Sequence, residues 1–343
     1  MDLKKFGGIA VSQGQGEMAW NFGVVNDPEE TARVVGSWRT QRIEDHLAEL
    51  TAGDLPEDVF ASEIEEKVLG KRLATWNQGS VGSCVSHGTG RAYQDVLLAQ
   101  IATGAAEQWP GFEVCREAIY GGSRVEVGGG RLGRGDGSVG AWAADYMTKW
   151  GGGLLYKKYP EVDLSGGYNE TRCRDWGYKG VPDNLEPIAK ANPVKESTLV
   201  TTLAGYTAAI RALKFISICG SKGRTMKRRA GGWCPVEGGW AHCQAGRGRC
   251  LVGGSSSPFG GDGAFPYTGN VEAYEIGNSW GDYLGDLNNV VTLASGKTYT
   301  LPPGHYLSHP SELESELRQN DTFAFAGAKG WVAEKISWIF VSK

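Results

Sequence analysis

The chain has 343 residues with 41% hydrophobic content, enough for one large domain of two lobes or for two domains. A formal net charge of −4 argues against a generic nucleic-acid binder, and no run approaches the ~18 apolar residues of a membrane span. Fifty-two glycines, about twice average usage, favour long loops over regular helices.

Residues 1–26 are rich in Gly, Gln and Asn and read as an extended arm. Met1-Asp2-Leu3-Lys4-Lys5 is followed by no long apolar stretch, so no secretory signal is expected. Asp27 before Pro28, Glu29 and Glu30 predicts a helix start, with the helix running through Arg33 towards Leu50. Leu55–Leu69 holds a second short helix. The turn Asn77-Gln78-Gly79-Ser80-Val81-Gly82 then leads into a helix with an apolar face that starts at Ser83 or Cys84.

Val127–Gly140 carries seven glycines and is expected to border a cleft, ahead of a helix over Ala141–Lys149. Further on come a helix over Leu203–Leu213 and a strand over Lys214–Cys219. The basic cluster Lys222, Arg224, Lys227, Arg228 and Arg229 reads as a solvated loop between two strands. A Gly-rich insertion over 253–263 and a second over about 286–303 separate the later strands. The last elements are a helix over Ser311–Arg318 and strands over Thr322–Ala328 and Ile336–Val341.

Four residues carry chemistry. A thiol near pH 7 is mostly protonated, and the thiolate is the nucleophile; a helix N-terminus and a nearby imidazolium both lower its pKa. Cys84 stands at the expected helix start. His242 in a Gly-rich stretch can take the thiol proton and return it to a leaving amine. Asn278 can orient that imidazole, and the Gln78 side-chain amide can join the Cys84 N–H in stabilising an oxyanion.

These residues resemble those of papain-like cysteine peptidases, in the manner of a divergent bacterial or viral member. Gln78 precedes Cys84 by six residues, Gly82-Ser83-Cys84 keeps the Gly-Ser-Cys core, and Trp240-Ala241-His242 resembles the histidine strand. Asn278-Ser279-Trp280-Gly281 matches the Asn-Ser-Trp-Gly motif, whose tryptophan shields the Asn–His bond from water. Gly137 and Ser138, in Gly135-Asp136-Gly137-Ser138, resemble the glycine wall of the substrate cleft, and Ala241 borders it before the histidine. Departures are Val85 in place of an aromatic residue after the cysteine, Val81 in place of a cysteine three residues before it, and the two insertions.

The resemblance implies an α+β fold with a helical lobe and an antiparallel β-barrel-like lobe, the active site lying between them. The corresponding segments are an arm over 1–70, a helical lobe over 71–200, a β lobe over 201–310, and an extension over 311–343 packed on the β lobe. It implies a thiol peptidase with a peptide or protein substrate and no cofactor. The Gly-rich rims leave protein, peptide and cell-wall amides open as targets.

Seven cysteines without a signal point to a reducing interior, cytoplasmic or within a virus particle. Cys234, His242, Cys243 and Cys250 lack the paired short spacing of structural zinc, so no metal is expected. A reading of a different class is a structural component of a larger assembly, such as a virus particle, that docks through the N-terminal arm and retains the fold. An inhibitory propeptide and a structural strap are the other readings of residues 1–70. Neither nucleic acid nor membrane is expected as a partner.

Overall fold

The computed structural model describes residues 22–105, 113–151, 153–191, 193–253 and 270–328, and its first half is mainly helical, its second mainly strand. Helix α1 (Pro28–Gly36) begins as its sequence dictates: the Asp27 carboxylate accepts from Glu30 N, and Pro28 occupies the first turn, where its missing N–H costs nothing. It stops at Gly36 instead of continuing to Leu50. A 3₁₀ turn (Ile43–His46) and the single turn of α2 (Leu47–Leu50) follow. Strand β1 (Val59–Phe60) leads into α3 (Ala61–Leu69), shorter than the Leu55–Leu69 segment that contains it.

The long helix α4 (Cys84–Ala102) is the centre of the molecule. Seventeen of its 19 residues are buried, so it is enclosed on every side and not merely along one apolar face. Gly88 makes this enclosure possible: a Cβ there would sit 2.9 Å from Cys243 Sγ and 3.0 Å from the Gln244 carbonyl oxygen. Around α4 pack α5 (Arg116–Gly122), α6 (Gly140–Asp145), α7 (Glu170–Lys179) and α8 (Glu186–Lys190). Helices α5 and α6 each continue into a wider π turn, over Ser123–Val127 and Tyr146–Trp150.

The remaining elements are β2 (Val194–Leu199), α9 (Leu203–Arg211), β3 (Ile216–Arg224), β4 (Val236–Val252), β5 (Val271–Gly277), β6 (Val290–Thr292), β7 (Thr298–Thr300), β8 (His305–Ser308), α10 (Pro310–Leu317) and β9 (Thr322–Ala328). The main sheet runs β2-β9-β3-β4-β5-β8, with β1 on β4 and every pair antiparallel. The path is open, so the expected barrel-like lobe is an unclosed sheet. The late strand β9 lies between β2 and β3. The second insertion forms the β6–β7 hairpin. Most of the Gly-rich insertion and the Ile336–Val341 strand lie outside the described residues.

The basic cluster is not simply solvated. Arg224 is buried against Glu316 and Glu312, and Arg228 is buried and donates to the Gly285 carbonyl. Their aliphatic stems and guanidinium groups tie β3 and the following loop to α10 and the segment after β5. A second ionic group lies under the sheet. Arg247 of β4 bonds Asp95 of α4 at 2.7 Å and Glu65 of α3 at 2.5 Å, all three at or below 1% side-chain exposure.

Candidate active site

Cys84 is the first residue of α4, fully buried, with the Ser83 carbonyl accepting from Ser86 N and His87 N to close the first turn. Burial pushes the thiol pKa well up, and the neighbouring Cys243 thiol adds to this. The backbone amides of Cys243, Gly23 and Val85 act the other way, towards the thiolate.

His242 lies on β4 and Asn278 immediately follows β5. The register Ala245↔Gly277 brings the two strand ends together. His242 Nε2 donates to Asn278 Oδ1 at 2.7 Å. The amide orientation is fixed independently: Oδ1 also accepts from Ser279 N at 2.7 Å, while Nδ2 donates to the Tyr283 hydroxyl at 3.1 Å. The imidazole therefore carries its proton on Nε2 and keeps a lone pair on Nδ1. That Nδ1 is buried and has no hydrogen-bond partner among the described residues. Burial lowers the His242 pKa to about 4, against the opposing pull of the Asn278 bond. In this state the thiol and the imidazole are both neutral.

The Trp280 ring stacks on His242 with centroids 4.4 Å apart and planes 26° apart, covering one face of the imidazole. Gln78 is joined to the same segment. Its N–H donates to the Ser279 carbonyl at 2.8 Å, its Oε1 accepts from Ser279 Oγ at 2.7 Å, and its Nε2 donates to the Val81 carbonyl at 2.9 Å. The turn before Cys84 and the turn after β5 are thus bonded to each other across the two halves of the chain.

Gly137, Ser138 and Ala241 meet the chain's own N-terminal segment. Ser138 N donates to the Gly23 carbonyl and Val25 N to the Ser138 carbonyl, both at 2.8 Å. The Ala241 carbonyl accepts from Gly23 N and Val24 N, both at 3.0 Å. Only glycine fits at position 23, because a Cβ would fall 1.9 Å from the Gly82 carbonyl oxygen. Gly137, at φ +95°, is also held tightly: a Cβ there would lie 2.9 Å from the Gly23 oxygen. The Arg124 guanidinium fixes this loop by donating to the carbonyls of Gly133, Gly135 and Gly137.

Residues 22–25 therefore run through the cleft beside Cys84, parallel to the Ser138 segment. Of the expected arm, residues 1–21 lie outside the described residues.

Several neighbours of the site carry no motif. Phe22 lies in the segment that reads as an extended arm. Tyr283 becomes visible only through its bond to Asn278. His87, one turn after Cys84, is buried with Nδ1 donating to the Ser83 carbonyl at 3.0 Å. With Trp76, Arg91, Gln244 and Asn278 it lines a cavity of about 10 Å³, room for about one water, behind the cleft. Among the described residues no group of three or more His, Cys, Asp or Glu side chains could hold a metal ion. Nor is any described helix long and apolar enough to cross a membrane.

Neither a protein-family model nor a curated protein matches the sequence. Solved structures do match the fold. Xylellain, a cysteine protease from Xylella fastidiosa, aligns at 15% identity with a TM-score of 0.55, covering 89% of this chain and 96% of that one. Procathepsin B from Trypanosoma congolense aligns at 13% identity and TM-score 0.45 over 90% and 91% of the two chains. The ragweed pollen cysteine protease Amb a 11, in its proform, aligns at 13% and 0.48 over 89% and 76%. At these identities the likeness to xylellain establishes the fold: a papain-like arrangement of helical lobe and antiparallel sheet.

Proposed function

We propose that this papain-like fold carries a cysteine-dependent peptide or amide hydrolase, folded here with its cleft closed by its own residues 22–25. The observation that carries the reading is the His242–Asn278 bond, which sets the imidazole tautomer so that Nδ1 is the free base, with Cys84 held by the amide of the next residue, Cys243.

The steps follow from these positions. Cys84 gives its proton to His242 Nδ1 and its sulfur attacks the substrate carbonyl carbon. The resulting oxyanion is met by the Cys84 N–H and the Gln78 side-chain amide. As the C–N bond breaks, His242 passes the proton to the leaving amine and Cys84 keeps the acyl group as a thioester. Water then attacks the thioester, with His242 again as base, and releases the acid. Asn278 holds the ring, and Trp280 keeps water from the Asn278–His242 bond.

Before any of this, Phe22–Val25 must leave. Opening the cleft removes the burial that keeps both groups neutral and lets the thiolate–imidazolium pair form. Peptides and proteins are the substrates this reading implies, and a cytoplasmic or virus-particle setting is compatible with the seven free thiols. Replacing Cys84 by Ala should abolish hydrolysis; turnover undiminished in that variant would refute the proposal. The closed cleft is also what a structural component of a larger assembly would show. That second reading predicts that no change to Phe22 makes Cys84 reactive.

A further inference from the structure

We infer that Arg174, Asp136 and Glu170 are positioning residues: they clamp the turn Gly79–Gly82 from outside and so set where the Gln78 side-chain amide meets an oxyanion. The clamp rests on the hydrolase reading above and adds to it the groups that hold its oxyanion site.

The turn has no covalent tie. Val81 stands three residues before Cys84, and all seven cysteines are free. The Gln78 side chain donates to the Val81 carbonyl, which also accepts from Ser83 N at 2.7 Å, so the place of that amide depends on where the turn puts Val81. The residues on either side of Val81 are held by charged side chains. Ser80 N donates to Glu170 Oε2 at 3.0 Å, and the Ser80 hydroxyl donates to the same oxygen. The Ser80 carbonyl accepts from Arg174 Nη2 at 2.6 Å. Gly82 N donates to Asp136 Oδ2 at 3.2 Å. Arg174 Nη1 donates to both Asp136 oxygens at 3.5 Å, so one guanidinium spans the two ends of the turn.

Glu170 and Arg174 are one turn apart on α7 and so share a face of it. Asp136 belongs to the loop that Arg124 fixes through the carbonyls on either side of it. The turn is thereby referred to a helix and to the glycine loop at once. The fit is close. Gly79 adopts φ +61°, and a Cβ there would fall 2.0 Å from Glu170 Oε1; a Cβ at Gly82 would lie 2.9 Å from Asp136 Cβ. The Arg174 and Asp136 side chains are 49% and 38% exposed, and exposed ion pairs add little to stability. Their effect is on placement, where an error of about 1 Å can cost ~10² in rate.

The test uses the full chain carrying Phe22→Gly, with Arg174→Gln, Gln78→Ala or both added, and fluorescein-labelled casein as substrate. Arg174→Gln is expected to lower kcat by about 10–10², while KM and the rate of Cys84 alkylation by iodoacetamide change little. In the Gln78→Ala background the same change should cost no more than about twofold, because the clamp acts through Gln78. An unchanged kcat, or a loss that adds in full to that of Gln78→Ala, overturns the positioning role while hydrolysis stands. If casein is not cut, the clamp is read instead by amide hydrogen exchange: Ser80 and Gly82 exchanging at least ~10-fold faster in Arg174→Gln supports it, and unchanged rates overturn it. A chain that cuts no casein and whose Cys84 is also inert to iodoacetamide marks the failure of the hydrolase reading, not of the clamp.

Discussion

Asn278 decides which nitrogen of His242 keeps its lone pair, because its oxygen is pinned by Ser279 N and its amide nitrogen by Tyr283. Once the segment has left, Asn278→Ala should lower kcat/KM while leaving Cys84 in place to be alkylated, which steady-state kinetics and peptide mapping would separate. Gln78→Ala should cost roughly 10²–10³ in kcat with little change in the alkylation rate, since its proposed role is met only after attack. His242 also makes stability depend on pH. Its folded pKa, about 4, lies below the ordinary value of 6.5, so the unfolded chain binds more protons between these limits. The stability it contributes is therefore fully present above about pH 6.5 and lost as pH falls towards about 4, by up to about 3 kcal/mol. Denaturant midpoints should drop over that window, and His242→Gln should flatten part of the drop. Cys84, His242, Asn278 and Gln78 are legible in the sequence because each lies in a short motif whose chemistry restricts its neighbours. The seat of Phe22 is not: an aromatic residue in a Gly-rich arm carries no local signal, and its contact with Trp240 joins segments far apart in the chain.

Helix α4 shows how packing overrides local preference. Gly88 and Gly90 weaken a helix by about 1 kcal/mol each relative to Ala, yet the Gly88 position is set by β4 lying against the helix backbone. Gly88→Ala should therefore destabilise by about 1–3 kcal/mol despite its better propensity, measured as a shift in urea midpoint at unchanged slope. An unchanged or raised midpoint would mean that β4 can move away. The starts of α1 and α4 can be read from the sequence, because a cap before a proline and a glycine turn before a helix are local rules. The order of the sheet cannot. Thr322–Ala328 reads as a strand, but nothing local says that it enters between β2 and β3, and whether the sheet closes depends on where its outermost strands β2 and β8 end.

At the scale of the whole molecule, the two halves of the chain are joined by buried charge as well as by apolar packing. Arg247 reaches from β4 to Glu65 on α3 and Asp95 on α4. Arg247→Met should cost about 3–5 kcal/mol, because it removes one of the two guanidinium groups, Arg247 and Arg91, that compensate the buried Glu65 and Asp95 carboxylates; a variant as stable as the parent would show that Arg91 and proton uptake compensate them at little cost. The same architecture lets the chain cover Cys84, with residues 22–25 between the Ser138 loop and the Ala241 carbonyl. The measurement that bears most directly on a latent thiol hydrolase is alkylation of Cys84 by iodoacetamide from pH 4 to 9 in the parent and in Phe22→Gly, followed by peptide mapping. A parent that labels slowly, and a variant whose Cys84 labels selectively well below pH 8 and loses this when His242 is replaced by Ala, is the predicted result. Seven cysteines reacting alike in both chains, with the pH dependence of an ordinary thiol, would contradict it.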